Sequence, residues 1–524
     1  MKAMLRVAGV CLLVAFAGMA AESGDAPARG KAEHIVVVVW DGMRPDFITP
    51  EYTPTLYKLS QGGVFFKKNH AVYVSSTEVN GTAIATGVYP NRSHVFANRE
   101  YLPEVDPLSP VAMEDEKTIR IGDEKGKYIG VATLEETLQN AGDRTVIAGT
   151  KAVALLPDRS VNRVSDAAKK SVVFYAGKSI PETGIGEATA ALGIPFPPTV
   201  TFPNRDADEW TTRALTEYLW KDDVPKFSLL WMSDPDFSQH NTAPGAPIAL
   251  GALKSVDDNL AKVLAALDAK GIRDKTDVFV VSDHGFSTVD KAIDVVEVLK
   301  AAGFAAGRKF TVTPQAGDIM VVSLGGSSLF YVYGHDAATT QKLVDFLQGS
   351  DFAGVIFTRE KMAGTFTLDQ ARVNNATAPD VMVAMRWDET QSKYGVAGGL
   401  TMDGSKAGKG THGSLSKYDV HNTLVAAGPD FKPGMADELP TANVDVAPTI
   451  LWILGVKPAE EMDGRVLFEA MTAGAQEELP TKENTVEAER NDGGIQWRQT
   501  LKFTQLGAHT YLDEGNGGKP GDVK

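Results

Sequence analysis

The strongest constraint on the fold of this chain is an unbroken apolar run at positions 34–40, with the sequence HIVVVVW. β-Branched residues favour extended backbone, and strands that are apolar on both faces are typical of parallel sheets covered by helices. Similar runs recur at 145–148, 227–232 and 278–281. Between the last two, leucines and valines from Leu250 to Leu267 follow a three- and four-residue spacing, which predicts a helix that ends near Gly271. This alternation predicts an α/β fold with a mostly parallel sheet flanked by helices.

With 524 residues, the chain is long enough for a large core and a further unit. The pattern changes at 296–404, where two strand-like segments enclose a helix-like one at 337–348, so this region is predicted to be an inserted α+β cap. The α/β core would then comprise residues 32–295 and 405–475, with a helix beginning at Pro448. In the remaining extension, 476–524, the polar stretch 478–492 suggests a linker and 497–512 suggests a late strand.

The first 20 residues predict a secretory signal peptide. Two basic residues precede an apolar run at 7–17, and small residues follow at a possible cleavage site. The run is too short for a membrane anchor, which needs about 20 apolar residues. The one cysteine, Cys11, lies within this segment, so a mature chain would contain no thiol and no disulfide. We therefore expect a periplasmic or secreted protein without a membrane anchor.

The formal net charge of −15 opposes binding to nucleic acid, and none is expected. Hydrophobic residues make up 43% of the chain and charged residues 23%, which is ordinary for a globular enzyme. If the ligand is an anion such as a small phosphate ester, positive charge must be concentrated locally, and bound metal ions would supply it.

Five short motifs place acidic, imidazole or hydroxyl side chains at strand ends or in the loops that follow; they are 40–44 (WDGMR), 75–80 (SSTEVN), 234–240 (DPDFSQH), 281–285 (VSDHG) and 410–414 (GTHGS). Each has a structural explanation of its own, such as a helix cap, a hydrogen-bonded Asp–His pair or a surface turn. In open α/β sheets, however, binding sites form beyond the carboxyl ends of the strands, so the five motifs are expected to meet there.

Taken together, the motifs supply three aspartates and three histidines, enough for two metal ions with three protein ligands each: Asp41, Asp236, His240, Asp283, His284 and His412. Oxygen and nitrogen donors without thiolate suit zinc, with manganese as an alternative. Three ligands per ion leave positions open for a substrate. Thr77 is predicted to lie at a helix N-terminus, where free N–H groups stabilise an alkoxide or a phosphate.

In this order and context the motifs resemble the alkaline phosphatase superfamily, and most closely its type I phosphodiesterase/nucleotide pyrophosphatase branch, over roughly residues 33–470. The resemblance implies an alkaline-phosphatase-like fold with two metal sites. Asp41, Thr77, Asp283 and His284 would surround one zinc ion, and Asp236, His240 and His412 would hold the other. It also implies that Thr77 is the nucleophile and that Asn98 donates a hydrogen bond to a phosphoryl oxygen.

Two departures from the family pattern concern substrate choice. Many members have an aromatic residue and proline after the nucleophile, whereas this chain has Glu78 and Val79. Residues 150–157 resemble a segment of zinc-dependent bacterial alkaline phosphatases in which a lysine and an arginine grip a phosphate monoester. Lys151 matches that lysine, but Val153 occupies the arginine position; the alternative is that Lys151 is an ordinary solvated lysine.

The resemblance therefore predicts a two-metal hydrolase of phosphodiesters or nucleotide pyrophosphates that works through a phospho-threonine intermediate. The first alternative is a zinc-dependent phosphomonoesterase of the same fold. A sulfatase is disfavoured, because the Cys-x-Pro-x-Arg signature is missing. An alternative of another class is a non-catalytic metal-binding surface protein, but such a protein should have lost at least one ligand and none is lost.

Overall fold

The computed structural model describes residues 29–126, 128–404, 406–474 and 480–521. The predicted signal peptide and Cys11 lie outside these residues. Across the described ranges, no helix combines the length and apolar character that a bilayer crossing requires.

The strands, in chain order, are β1 (His34–Trp40), β2 (Val64–His70), β3 (Arg99–Glu100), β4 (Val111–Ala112), β5 (Thr145–Gly149), β6 (Val172–Tyr175), β7 (Lys178–Ile180), β8 (Phe227–Met232), β9 (Thr276–Val281), β10 (Ser287–Ile293), β11 (Ala306–Gly307), β12 (Ile319–Ser323), β13 (Ser327–Val332), β14 (Ala353–Thr358), β15 (Phe366–Thr367), β16 (Val381–Met385), β17 (Trp387–Gln391), β18 (Ala397–Asp403), β19 (Gly410–Thr411), β20 (His421–Asn422), β21 (Leu424–Ala427), β22 (Met435–Ala442), β23 (Thr481–Asp492), β24 (Ile495–Leu506) and β25 (His509–Gly518).

The α-helices are α1 (Pro54–Gly62), α2 (Thr77–Thr86), α3 (Pro90–Ser93), α4 (Glu116–Lys125), α5 (Leu134–Asn140), α6 (Asp166–Lys170), α7 (Gly184–Leu192), α8 (Arg205–Arg213), α9 (Asp236–Asn241), α10 (Pro247–Ala269), α11 (Val295–Ala301), α12 (Ala337–Gln348), α13 (Lys417–Val420) and α14 (Val446–Leu454).

The central sheet has ten strands in the order β20-β2-β21-β9-β1-β8-β5-β6-β7, with β22 also paired to β2. Its middle five strands, from β9 to β6, are parallel, and antiparallel pairs lie on both sides of them. This arrangement confirms the predicted α/β class with a mostly parallel sheet.

Burial on both faces explains why β1 lacks polar alternation. Val37 and Val39 pack into an apolar cluster on one face of the sheet, which includes Ile450 of α14. Val38 packs into the cluster on the other face, which includes Leu260 of α10. Each face is closed by helices, so every position from Ile35 to Trp40 is buried in apolar surroundings.

The register of the three central strands brings their carboxyl ends to one level. Trp40 of β1 pairs with Met232 of β8, and Val39 pairs with Val281 of β9. The chain leaves the sheet directly after these residues, so the loops that begin at Asp41, Ser233 and Ser282 start side by side. Three of the sequence motifs therefore meet at the same edge of the sheet.

Residues 306–385 form a second, six-stranded sheet in the order β11-β12-β13-β16-β14-β15. One of its faces packs on α11 and α12. The other contributes to an apolar cluster with the segment 72–74 and with α2. The second sheet is thus packed against the part of the chain that carries Thr77.

The C-terminal extension is more ordered than the sequence suggested. The expected linker is wrong for its larger part, because Thr481–Asp492 is a strand paired along its whole length with β24. Its outward residues are polar and its buried contribution is small, so it lacks an apolar signature. The suggested late strand is in fact two strands, joined by a turn at Gly507 whose φ of 59° suits glycine.

The helix expected to begin at Pro448 begins two residues earlier, at Val446. A proline in the first turn replaces an N–H group that has no partner inside the helix, so the position is tolerated.

Helix α10 offers a test of the packing on the central sheet. Leu260 is fully buried and Leu264, one turn later, is only partly buried. We expect Leu260→Ala to lower the free energy of unfolding by about 2–5 kcal/mol, because it leaves a cavity beneath the sheet. Leu264→Ala should cost clearly less. Urea unfolding followed by circular dichroism measures both, and equal losses would contradict the packing described.

Candidate metal centre

Asp41, Asp283 and His284 form the first of two acid–imidazole groups beyond the strand ends. Each offers one ligand atom, and these atoms lie within 4.8 Å of one another. All three residues are fully buried. Asp283 is oriented by the backbone, because its Oδ1 accepts hydrogen bonds from the N–H of Gly42 at 3.0 Å and from that of His284 at 3.1 Å.

Thr77 lies beside this first group, as the first residue of α2. The preceding residue, Ser76, is extended and is the helix N-cap, so the chain turns into the helix at the site itself. The Thr77 hydroxyl is 3.2 Å from Nε2 of His284. The hydroxyl is therefore placed at the positive end of the helix dipole and in contact with a member of the first group.

The second group consists of Asp236, His240 and His412, with ligand atoms that again lie within 4.8 Å of one another. Asp236 is the first residue of α9 and His240 is four residues later, so both point from the same side of one helical turn. Asp236 Oδ1 is 3.3 Å from His240 Nε2 and 3.6 Å from His412 Nε2. The two groups are adjacent, since the rings of His284 and His412 stack with centroids 3.6 Å apart.

The three histidines share one orientation. In each, Nδ1 faces a backbone carbonyl oxygen, which accepts a hydrogen bond from it: Gly285 O at 2.9 Å for His284, Gly410 O at 3.2 Å for His240 and Ser75 O at 2.9 Å for His412. The proton is thereby held on Nδ1, which leaves the lone pair of Nε2 directed at the carboxylates. Ligating histidines are commonly held in this way.

Several carboxylate oxygens of the two groups lack a hydrogen bond. Within the described residues, Asp41 Oδ1, Asp236 Oδ1 and Asp283 Oδ2 are buried and have no hydrogen-bond partner. A buried, unpaired anionic oxygen is costly, and here three of them face the imidazole nitrogens of the same two groups. Divalent cations would satisfy all of these atoms, so the donor set fits two metal ions.

Lys151 links the two groups. Its ammonium Nζ is 2.9 Å from Asp41 Oδ2 and 3.1 Å from Asp236 Oδ2, and its side chain is only 13% exposed. The alternative that Lys151 is an ordinary solvated lysine is therefore wrong. Although burial opposes the charge, the carboxylates of Asp236 and Asp41 raise the pKa of Lys151 well above its usual value, so the lysine is a fixed cation at the centre.

The electrostatics differ between the two groups. Burial, reinforced by the nearby Asp283 carboxylate, raises the pKa of Asp41 well above its usual range. Burial would also raise the pKa of Asp236, but the Lys151 ammonium and then His240 hold it well below its usual value. Burial and the neighbouring His284 lower the pKa of His412 well below its usual value, which keeps this imidazole in the neutral form that binds metals.

Asn98 lies at the mouth of the site, half-buried. Its Oδ1 accepts a hydrogen bond from the N–H of Glu78 at 3.3 Å, which leaves the amide NH₂ to face the adjoining pocket. This pocket has a volume of about 590 Å³ and also borders Ser76, His240 and His412. The two residues that the sequence predicted to contact the substrate, Asn98 and Lys151, thus lie next to the acid–imidazole groups.

Most of the other residues that line this pocket lie outside the five motifs, so sequence analysis did not select them; Phe237 and Thr411 are the exceptions. Basic residues stand at Arg99, Lys406 and Lys409, and the apolar part of the wall contains Val200, Phe202 and Phe237. Leu324, Gly325 and Met402 come from the region predicted as the cap.

Glu78, one of the departures from the family pattern, is buried beside Glu114, a residue that sequence analysis did not select. Burial, and then the Glu114 carboxylate, raises the pKa of Glu78 well above its usual range. The pKa of Glu114 is also raised, mainly by burial. The residue that follows Thr77 is thus part of a buried carboxyl pair, where many family members have an aromatic side chain.

Comparison with known proteins agrees with this geometry. The Type I phosphodiesterase / nucleotide pyrophosphatase family profile matches residues 35–415. Mouse Bis(5'-adenosyl)-triphosphatase enpp4 is 22% identical over 434 residues, covering 82% of this chain and 78% of the relative. Human Ectonucleotide pyrophosphatase/phosphodiesterase family member 7 is 22% identical over 470 residues, covering 88% of this chain and 89% of the relative.

The fold is also similar to that of murine ectonucleotide pyrophosphatase / phosphodiesterase 5, solved as an inactive threonine-to-alanine variant in complex with AMP. The TM-score is 0.59 at 16% identity, and the match covers 84% of this chain and 100% of the murine chain. The predicted alkaline-phosphatase-like fold is thus confirmed. With a family match over most of its length, the chain belongs to the type I phosphodiesterase / nucleotide pyrophosphatase family of metal-dependent phosphate-ester hydrolases.

Proposed function

We propose that this hydrolase cleaves phosphodiesters or nucleotide pyrophosphates, with Thr77 as the nucleophile and two zinc ions as cofactors. The observation that carries the proposal is the convergence of two groups of carboxylate and imidazole donors on one helix N-terminal hydroxyl. Asp41, Asp283 and His284 would hold one ion with the Thr77 oxygen, and the second group would hold the other. Nitrogen and oxygen donors without thiolate favour zinc and also accept manganese.

The bound ions would lower the pKa of a coordinated hydroxyl and screen the charge of the phosphate. The residues of the chain supply position and polarity. The Thr77 Oγ1 loses its proton and bonds to phosphorus, while the ester oxygen leaves with the electron pair of its own bond to phosphorus and takes up a proton, which gives a phospho-threonine. The oxygen of a water molecule then bonds to phosphorus, the bond between phosphorus and Oγ1 breaks with its electron pair on Oγ1, and a proton of that water restores the Thr77 hydroxyl. Meanwhile the NH₂ group of Asn98 donates to a non-bridging oxygen.

A diester is favoured over a monoester because the site offers limited positive charge of its own. A monoester carries one more negative charge, and the family relatives that grip it use a lysine and an arginine. Here Val153 is buried and apolar at the arginine position, and Lys151 already pairs with two aspartates.

The pocket beside the site supports a leaving group with both charge and a flat apolar part. Arg99, Lys406 and Lys409 provide cations for further phosphate oxygens, and Phe202 and Phe237 provide aromatic faces. A nucleotide combines these properties. The names of the relatives, a bis(5'-adenosyl)-triphosphatase and a protein solved with AMP, point to the same class of substrate. We further propose that the inserted unit at 296–404 serves as the cap of this pocket.

Removal of the nucleophile should abolish turnover without emptying the site. We expect Thr77→Ala to lower kcat on bis-p-nitrophenyl phosphate by at least about 10³-fold. Its zinc content should be nearly unchanged. The matched control is Thr86→Ala, which removes a buried hydroxyl from the same helix that donates to the backbone oxygen of Thr82 and accepts from the N–H of Val88. Substantial activity in Thr77→Ala would remove this residue from the nucleophile role.

Loss of one ligand group should remove one metal ion. We expect Asp236→Asn to bind one zinc equivalent fewer than the wild type, measured by inductively coupled plasma mass spectrometry after dialysis against buffered zinc. Asp234→Asn is the control, because the Asp234 carboxylate already accepts backbone hydrogen bonds from Asn204 and Ser238. Chelation should stop turnover and added zinc should restore it; activity that persists through complete metal removal would refute the two-metal proposal.

The role of Lys151 separates the two ester classes. The wild type should hydrolyse bis-p-nitrophenyl phosphate faster than p-nitrophenyl phosphate. Because a charged hydrogen bond contributes about 1.5–3 kcal/mol, Lys151→Ala should lower kcat/KM on the monoester by roughly 10- to 100-fold, and on the diester by less. Lys262→Ala, on the surface, is the control. A wild type that prefers the monoester would favour the phosphomonoesterase alternative instead.

A further inference from the structure

A third acid–imidazole group lies away from the catalytic centre, where the C-terminal sheet meets the core. It consists of His70, His421 and Asp513, whose ligand atoms lie within 4.8 Å of one another. The set of one carboxylate and two imidazoles is the same as in the Asp236 group. We propose that these three residues bind a zinc ion that joins the C-terminal sheet to the core.

The two histidines are brought together by the central sheet itself. His70 ends β2 and His421 begins β20, and the two residues are direct antiparallel partners. Side chains at such positions extend from the same face of the sheet at close range. Their ring centroids are 4.5 Å apart. The backbone pairing therefore holds both imidazoles in place before any third ligand arrives.

Asp513 is supplied by an irregularity in the C-terminal sheet. Lys502 pairs with Glu514 and Phe503 pairs with Leu512, so Asp513 is the extra residue of a β-bulge. Bulges redirect a side chain out of the regular alternation. Asp513 Oδ1 reaches Nε2 of His70 at 2.8 Å, and its Oδ2 accepts a hydrogen bond from the Thr504 hydroxyl at 2.9 Å.

The proton positions at His70 call for a cation. Nδ1 lies 2.8 Å from the backbone oxygen of Thr441, which can only accept, so Nδ1 carries a proton. In the neutral ring, Nε2 then presents a lone pair to Asp513 Oδ1, and two acceptors would face each other at 2.8 Å. Either a second proton or a metal ion must lie between them. The Nδ1–carbonyl contact is the same one that orients the three histidines of the catalytic centre.

His421 distinguishes a metal ion from a simple ion pair. Across the described residues, its ring has no hydrogen-bond partner, although it adjoins the pair. One of its ring nitrogens lies within 4.8 Å of the ligand atoms of His70 and Asp513, so a lone pair of this ring can reach an ion held between them. An ion pair between His70 and Asp513 does not involve the His421 ring, whereas a zinc ion would bind that ring as its third ligand.

Solvent can reach the three-residue group, so an ion can enter it and take a fourth ligand from water. Asp513 is 23% exposed, while the side chain of His70 is only 2% exposed. Through the exposed side of Asp513, a water molecule can reach the group as a fourth ligand. Two residues before Asp513, the hydroxyl of Tyr511 donates to Asp445 and accepts from Arg465, so the strand is already held against the core.

The test is the zinc content of the full-length protein after dialysis against buffered zinc. His421→Asn and Asp513→Asn should each bind one equivalent fewer than the wild type. The matched control is His335→Asn, since His335 pairs with Asp380 at 2.6 Å but is not part of a three-residue group. It should retain the wild-type content. Combining His421→Asn with Asp236→Asn should remove two equivalents.

Comparing the single and double variants separates a failure of the third metal site from a failure of the proposed catalytic function. If Asp236→Asn loses no metal but His421→Asn does, the catalytic proposal fails and the third site stands. Should His421→Asn not yield folded protein by circular dichroism, the isosteric Asp513→Asn carries the comparison. Equal zinc content in the wild type and the folded variants, or loss of the same equivalent in His335→Asn, would overturn the assignment and leave a protonated His70–Asp513 ion pair.

Discussion

Three buried carboxylates at one edge of the central sheet are the constraint on which the site depends. Asp41, Asp236 and Asp283 meet because β1, β8 and β9 end at the same level, and the ammonium of Lys151 contacts the first two of them directly. So much negative charge in a water-poor space is stable only with cations. The register of the parallel strands brings the carboxylates together, and bound metal ions would relieve the repulsion between them.

The sequence predicted the sheet and the donor set well, because both depend on local signals. The valine run of β1 and the three- and four-residue spacing of apolar residues in α10 each indicate burial without knowledge of the rest of the fold. The first strand of the C-terminal sheet was missed, since β23 is largely exposed and its polar residues carry no apolar alternation. Glu114 and Arg99 were missed because they reach the site through long-range packing, which no short motif records. Likewise, the ion pairs of Lys151 arise only when residues 85 and 110 positions away are folded beside it.

Local and overall charge act in opposite directions in this protein. The net charge of −15 repels anionic ligands at long range, yet Arg99, Lys406 and Lys409 surround the pocket that adjoins Thr77. Salt screens the long-range field within about 10 Å, so the nearby cations dominate once a ligand reaches the pocket. The aromatic residues of the same wall then add contacts that do not depend on charge. The pocket is thus suited to a ligand that is both anionic and partly flat.

The path of the chain through the central sheet has a consequence for its folding. β2, formed by residues 64–70, is flanked by β20, β21 and β22, which lie more than 350 residues later in the sequence. Such distant pairings are slow to form, because a long loop must close before any contact compensates for its entropy. β2 therefore cannot complete its pairing until residues 421–442 have been synthesised, whereas β1 needs only β8 and β9. Assembly of this half of the sheet is consequently a late event in the life of the nascent chain.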